Sequence, residues 1–174
     1  LNCAVIGVPK TIDGDLQIPE LCPISFGFDT ATKIYSELIG NLCQDTPSSG
    51  KYWHFVKLMG RSASHITLET ALQTQPSLVF ISEEVKAKKW TLADIISIIC
   101  NAIEKRATTG IHYGVLLIPE GLVEYVDDLS PLIEDLNQRM AMADCPLTFD
   151  DKYNFINQGL SKNKQALFSS LPSR

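Results

Sequence analysis

Asn2–Val8 (NCAVIGV) is a short apolar run ended by Pro9, the pattern of a buried strand. A polar, Gly-bearing loop, Lys10–Asp15 (KTIDGD), follows it. From Phe28 the apolar positions Ala31, Ile34, Tyr35, Leu38, Ile39 and Leu42 recur every three or four residues. That spacing predicts an amphipathic helix with Asp29 at its start and a break at Pro47 and Gly50. Tyr52–Leu58 is aromatic and β-branched and reads as a strand stopped by Met59-Gly60-Arg61. A helix begins near Ser62 or Ser64 and runs through Ile66, Leu68, Ala71 and Leu72 to Pro76. Leu78–Ile81 is a second such strand, ended by Ser82-Glu83-Glu84. Thr91 with Asp94 three residues on is a capping-box signature. The helix it opens carries Leu92, Ile95, Ile96, Ile99 and Ile103, ends in Lys105 and Arg106, and can be closed by Gly110. Tyr113–Ile118 is a strand stopped by Pro119-Glu120-Gly121, and a last helix carries Leu129, Leu132, Ile133, Leu136 and Met140.

Strand and helix thus alternate four times, and the strands are continuously apolar, as when both faces of a parallel sheet are covered. The fold expected is α/β: a doubly wound, Rossmann-like, mostly parallel sheet with helices on both faces. Residues 1–145 form this domain. Residues 146–174, where Asn, Gln, Lys and Ser surround a few apolar side chains, are expected to be an irregular tail or insertion with one or two short helices.

The composition fits a globular chain: 45% hydrophobic, 20% charged, mean hydropathy +0.05. A net charge of −5 gives no broad basic face for nucleic acid. No apolar run approaches the roughly 18 residues that a membrane-spanning helix needs. Five separated cysteines, Cys3, Cys22, Cys43, Cys100 and Cys145, make no C-x-x-C pair or Cys/His cluster. They read as reduced, buried or nearly buried thiols of a cytoplasmic protein.

In an open parallel sheet, ligands bind beyond the carboxyl ends of the strands. Each strand here runs straight into a polar cluster: Lys10–Asp15, Gly60-Arg61-Ser62, Glu83-Glu84 and Glu120-Gly121. Gathered on one rim, they suit transfer of an anionic group to a hydroxyl, with a carboxylate taking the proton and Lys and Arg holding phosphoryl charge. Taken singly, Asp13-Gly14-Asp15 reads as a turn, Gly60 as a backbone requirement, Arg61 as a solvated cation and Glu120 as a favourable charge at a helix start. Glu83, Glu84 and the three histidines, His54, His65 and His112, receive no role.

The segments PKTIDGD (Pro9–Asp15), FGFDTATKIYSELIGN (Phe26–Asn41), KYWHFVKLMGRSASHITLE (Lys51–Glu69) and YGVLLIPEGL (Tyr113–Leu122) resemble the pyrophosphate-dependent phosphofructokinases of the long-chain group, from about Leu1 to Met142. The resemblance implies phosphoryl transfer from pyrophosphate to the C1 hydroxyl of fructose 6-phosphate, with Mg²⁺. It implies Asp13 as the proton acceptor, with Thr11 and Ile12 in the same substrate-contacting loop. Lys10 would stabilise the transition state, and Asp15 would lie near the metal and phosphates. Met59, Gly60 and Arg61 would line the sugar phosphate, and Glu120 would accept from a sugar hydroxyl. Lys51 and Tyr52 match a pair that reaches the sugar phosphate of a neighbouring subunit, which implies a homodimer.

Family members are considerably longer. The resemblance therefore places the Gly-rich loop for donor and magnesium, with the main metal ligand, upstream of Leu1. The 174 residues alone are expected to be folded but inactive. It also leaves two alternatives: an ATP-dependent enzyme, since the donor-discriminating residues lie upstream, and a non-catalytic regulatory subunit, a class that lacks the aspartate found here as Asp13.

Overall fold

The computed structural model describes residues 3–16, 20, 25–142 and 148–171. A two-stranded parallel pair, β1 (Lys10–Thr11) with β2 (Phe26–Gly27), leads into the long helix α1 (Phe28–Ser49). The main sheet follows as β3 (Trp53–Leu58), α2 (His65–Thr74), β4 (Leu78–Val79), α3 (Ser82–Lys88), α4 (Leu92–Thr108) and β5 (Gly114–Pro119). Its three strands are parallel and ordered β3-β5-β4, so the last strand inserts between the other two.

The sequence of β5 explains its central place. Both faces of Val115-Leu116-Leu117-Ile118 are apolar, and successive side chains point to opposite sides. Val115 and Leu117 pack with Leu58 and with Ile39, Tyr35 and Leu42 of α1. Leu116 and Ile118 join the opposite core with Phe80, Val85, Ile95, Leu122, Val126 and Leu129. Leu116 and Leu117 are fully buried, each contributing about 1.5–3 kcal/mol of transfer free energy. Helices therefore cover both faces, as the continuous apolar runs predict.

Beyond β5 come α5 (Leu122–Tyr125) and α6 (Ser130–Met140). The final segment forms two helices, α7 (Phe149–Gly159) and α8 (Lys162–Ser170). Ile156 and Leu160 pack on Leu132 of α6, with Leu167 and Phe168 beside them.

Three expectations are corrected. Residues 3–9 belong to no strand, and Val5 and Ile6 are 90% and 85% exposed. An apolar run becomes a strand only through a ladder, and none forms beside these residues within the described chain. The first helix does not break at Pro47 but passes through it to Ser49. Pro47 lies in the last turn, where its missing N–H forfeits a single bond. Gly50 closes the helix in the left-handed region (φ 68°), donating its N–H to the Thr46 carbonyl. Finally, Cys3 and Cys100 are exposed and Cys43 is half-buried, its thiol pKa raised by burial. Cys22 and Cys145 lie outside the described residues.

The capping box at α4 is present as expected. The Thr91 hydroxyl accepts from the Asp94 N–H at 3.3 Å, and the Asp94 carboxylate accepts from the Thr91 N–H at 2.9 Å. Thr91→Ala should lower stability by about 1 kcal/mol, read as a shift in the urea midpoint at constant slope. The Thr91 side chain, then its backbone N–H, holds the Asp94 carboxyl below its ordinary value of 3.8. Because the folded value is the lower one, this contribution is whole above that pH and is lost as pH falls through the folded value. The stability gap between wild type and Thr91→Ala should therefore narrow in acid.

Candidate active site

The C-terminal ends of β3 and β5 lie side by side, and each continues into a loop that holds the other. The Glu120 N–H donates to the Leu58 carbonyl at 2.8 Å, and the Gly121 N–H donates to the Gly60 carbonyl at 3.0 Å. Gly60 has φ 126°, and a Cβ there would lie 2.8 Å from the Ala63 carbonyl oxygen, so the turn after β3 requires glycine. Gly121 has ordinary helical dihedrals, but a Cβ would sit 2.0 Å from the Arg61 carbonyl oxygen. Here glycine is demanded by space. The two Gly-bearing motifs thus bring Arg61 and Glu120 together at the rim.

The Lys10–Asp15 loop closes the third side. Its base is fixed by the β1–β2 pairing and by the Thr11 N–H donating to Ser25 Oγ at 3.0 Å. Inside it, the Asp13 N–H donates to Thr11 Oγ1 at 3.1 Å, a local turn that the Thr/Asp spacing permits. Ser62 Oγ donates to the Asp15 carboxylate at 2.5 Å and holds its pKa below the ordinary 3.8, against slight burial. His65 Nδ1 lies 2.8 Å from the Gly14 carbonyl oxygen.

Between these loops is an open cavity of about 400 Å³ lined by Lys10, Thr11, Ile12, Asp13, Met59, Arg61 and Glu120. Seven residues singled out in the sequence therefore share one site. Gly60 shapes its wall from the buried turn, and Asp15 stands behind it on Ser62. Lys51 and Tyr52 do not join it. They precede β3, at the far end of a six-residue strand that spans roughly 20 Å. There Lys51 Nζ lies 5.5 Å from the centre of the exposed Tyr52 ring.

Sequence reasoning missed the scaffold behind the cavity. Ser82-Glu83-Glu84, read as a strand stop and a polar cluster without a role, opens helix α3. Its Glu83 carboxylate accepts from the Ser64 N–H at 2.9 Å, while the buried Ser64 Oγ accepts from the Ser82 N–H at 2.9 Å. Burial pushes the Glu83 carboxyl up, but the Ser64 bonds, the Glu83 backbone N–H and the nearby His65 together lower the net pKa. The Tyr125 hydroxyl donates to the Ser62 carbonyl at 2.7 Å. Serines and a glutamate at helix starts were the available signals, but their partners are 18 to 63 residues away.

Lys10 and Arg61 line one cavity with Asp13 and Glu120 where parallel strands end, a cleft of mixed charge in an α/β protein. More particularly, the chain belongs to the phosphofructokinase family, whose profile, "Phosphofructokinase", matches residues 1–151. It is 52% identical to pyrophosphate–fructose 6-phosphate 1-phosphotransferase of Treponema pallidum (strain Nichols), over 99% of this chain and 31% of that protein. It is 58% identical to the beta subunit of the Ricinus communis protein of that name, over 81% of this chain and 25% of the relative. Against subunit alpha 2 of the Arabidopsis thaliana protein it is 43% identical, over 97% of this chain and 26% of the relative. The chain thus spans less than a third of the length of these relatives.

Proposed function

We propose that this chain carries the sugar-phosphate side of an active site that moves a phosphoryl group from pyrophosphate to the C1 hydroxyl of fructose 6-phosphate, reversibly. The products are fructose 1,6-bisphosphate and phosphate. One observation carries the reading: Lys10, Asp13, Arg61 and Glu120 line one cavity. The names of the relatives in Treponema pallidum and Ricinus communis support the choice of substrates.

A primary alcohol is a poor nucleophile at neutral pH, so its proton must leave as the new P–O bond forms. Asp13 accepts that proton while the bond between the transferred phosphorus and the pyrophosphate bridging oxygen breaks. The remainder of the reaction needs positioning and charge neutralisation. Lys10 acts as a point charge on the transferring group, and the planar Arg61 guanidinium suits the sugar phosphate at the opposite end. Glu120 accepts from a sugar hydroxyl, while Thr11, Ile12 and Met59 shape the pocket around the ring.

Mg²⁺, when bound, would neutralise the phosphates. Among the described residues no three His, Cys, Asp or Glu side chains converge as a metal cage. An ion of this kind typically takes one or two carboxylates and completes its shell with substrate phosphate and water. Asp15, whose carboxyl Ser62 holds below its ordinary pKa, would be this chain's carboxylate toward the metal and phosphates.

Lys51 and Tyr52, remote from this cavity, serve the sugar phosphate of a neighbouring copy in a homodimer. We also propose a cytoplasmic location, on the reading of the separated cysteines as reduced thiols; among the described residues no helix is long and apolar enough to cross a membrane.

The test is a coupled assay of the full-length protein with fructose 6-phosphate, Mg²⁺ and either pyrophosphate or ATP. Turnover with pyrophosphate is expected. Turnover with ATP alone would make it an ATP enzyme, and none with either would make it a non-catalytic subunit. Arg61→Ala and Glu120→Ala should each raise KM for fructose 6-phosphate by about 10-fold or more, the cost of one charged hydrogen bond. KM for pyrophosphate should stay within about threefold, since both side chains lie on the sugar side. Tyr52→Ala should weaken sugar binding only where subunits pair, as sedimentation can establish.

A further inference from the structure

Two side-chain bonds join the Lys10–Asp15 loop to the segment after β3 among the described residues. One is Ser62 Oγ on Asp15; the other is His65 Nδ1 on the Gly14 carbonyl at 2.8 Å. A carbonyl oxygen can only accept, so Nδ1 must carry the proton and donate. Gly14 sits between Asp13 and Asp15 at φ 70°, and its backbone is boxed in: a Cβ there would lie 3.0 Å from the Phe28 ring and 3.2 Å from His65 Nδ1. The imidazole therefore meets the loop at the residue that lies between the two carboxylates.

The base of that imidazole is held in turn. His65 is the first residue of α2, directly after Ser64. Ser64 is buried and bonded twice to the start of α3, through its N–H to Glu83 and through its Oγ to the Ser82 N–H. This reciprocal ring locks the two helix starts together and satisfies backbone donors that would otherwise lack partners. Glu83, Ser64, His65 and Gly14 thus form a continuous tether from α3 to the loop bearing Asp13.

We propose that His65 and Glu83 are positioning residues for phosphoryl transfer: they fix the Asp13 carboxylate opposite Arg61 without touching substrate. The proposal rests on Asp13 as the base. A displacement of about 1 Å at a reacting group can cost on the order of 100-fold in rate. Ser62–Asp15 still restrains the loop when His65 is removed, so a smaller loss is expected.

In the full-length protein, His65→Ala should lower kcat by about 10-fold while KM for both substrates changes less than threefold. His65→Asn, which offers an amide N–H near the Nδ1 position, should recover most of that loss. Glu83→Ala should act in the same direction, and Glu83→Gln, whose carbonyl can still accept from Ser64, should be close to wild type. Amide hydrogen exchange supplies a readout that needs no activity: His65→Ala should speed exchange at Asp13 and Asp15 several-fold while the β5 amides stay protected. Unchanged kcat and unchanged loop exchange in a folded His65→Ala protein would overturn the proposal. So would equal losses in His65→Ala and His65→Asn. Asp13→Asn run in parallel separates the two ideas: if it stays active while His65→Ala loosens the loop, the base assignment fails and the tether stands. If Asp13→Asn is inactive and His65→Ala is indistinguishable from wild type, the tether alone is wrong.

Discussion

Asp13→Asn in the full-length protein is expected to lower kcat by about 100-fold or more, the scale of a general base. The substitution is nearly isosteric, and the loop's own bonds do not depend on the Asp13 side chain. The Asp13 N–H reaches Thr11 Oγ1, His65 meets Gly14 and Ser62 holds Asp15. The side-chain amide introduced at this half-buried position would therefore occupy the same place in the cavity wall but could not accept a proton. KM for fructose 6-phosphate should change little, because the contacts proposed for Arg61 and Glu120 are untouched, and the melting temperature should stay near wild type. Single-turnover kinetics isolate the chemical step and are the measurement to make. Near-parental rates there would remove Asp13 from the role of base.

The parts of this protein that were legible beforehand are those whose cause is local. Tyr113–Ile118 announces a strand covered on both faces because it is continuously apolar, although its place between β3 and β4 was not legible. Thr91 and Asp94 announce a helix start because the two side chains satisfy each other's backbone within four residues. Arg61 and Glu120 could be placed on one rim because the parallel strands β3 and β5 deliver their following loops to the same edge; Lys10 and Asp13 line the same cavity although residues 3–9 before them form no strand. What was not legible depends on distant partners. Residues 3–9 have a strand's composition but no ladder within the described chain. Ile34 and Leu38 share the helical period of Ile39, yet they are 52% and 61% exposed, because periodicity marks a stripe wider than what packs on the sheet. The contact between His65 and Gly14 spans 51 residues, and nothing local to either marks it. Lys51 and Tyr52, assigned through a family likeness to a neighbouring copy's sugar phosphate, stand before β3, away from this chain's own cavity.

Gly121→Ala should be the most damaging single-methyl change in the chain. The new Cβ would lie 2.0 Å from the Arg61 carbonyl oxygen, 2.8 Å from its carbonyl carbon and 3.1 Å from its Cα. These are backbone atoms with no rotamer to turn. Gly121 cannot retreat cheaply either, because its N–H is bonded to Gly60 and the neighbouring Glu120 N–H to Leu58. Overpacking of this kind costs about 1–3 kcal/mol, and a broken backbone bond about 0.5–1.5 kcal/mol more. A loss near 3 kcal/mol is therefore expected in denaturant titration. Whichever loop gives way, Arg61 and Glu120 separate, so kcat/KM for fructose 6-phosphate should fall by on the order of 100-fold in the protein that remains folded. Gly40→Ala is the matched control. It sits inside α1 with its nearest neighbour, the Thr74 methyl, 4.0 Å from the added carbon, so helix propensity should make it neutral or stabilising by up to about 1 kcal/mol. If Gly121→Ala matched Gly40→Ala in both stability and sugar affinity, the two loops would not be locked together as their hydrogen bonds indicate, and the rim would have to be held from elsewhere.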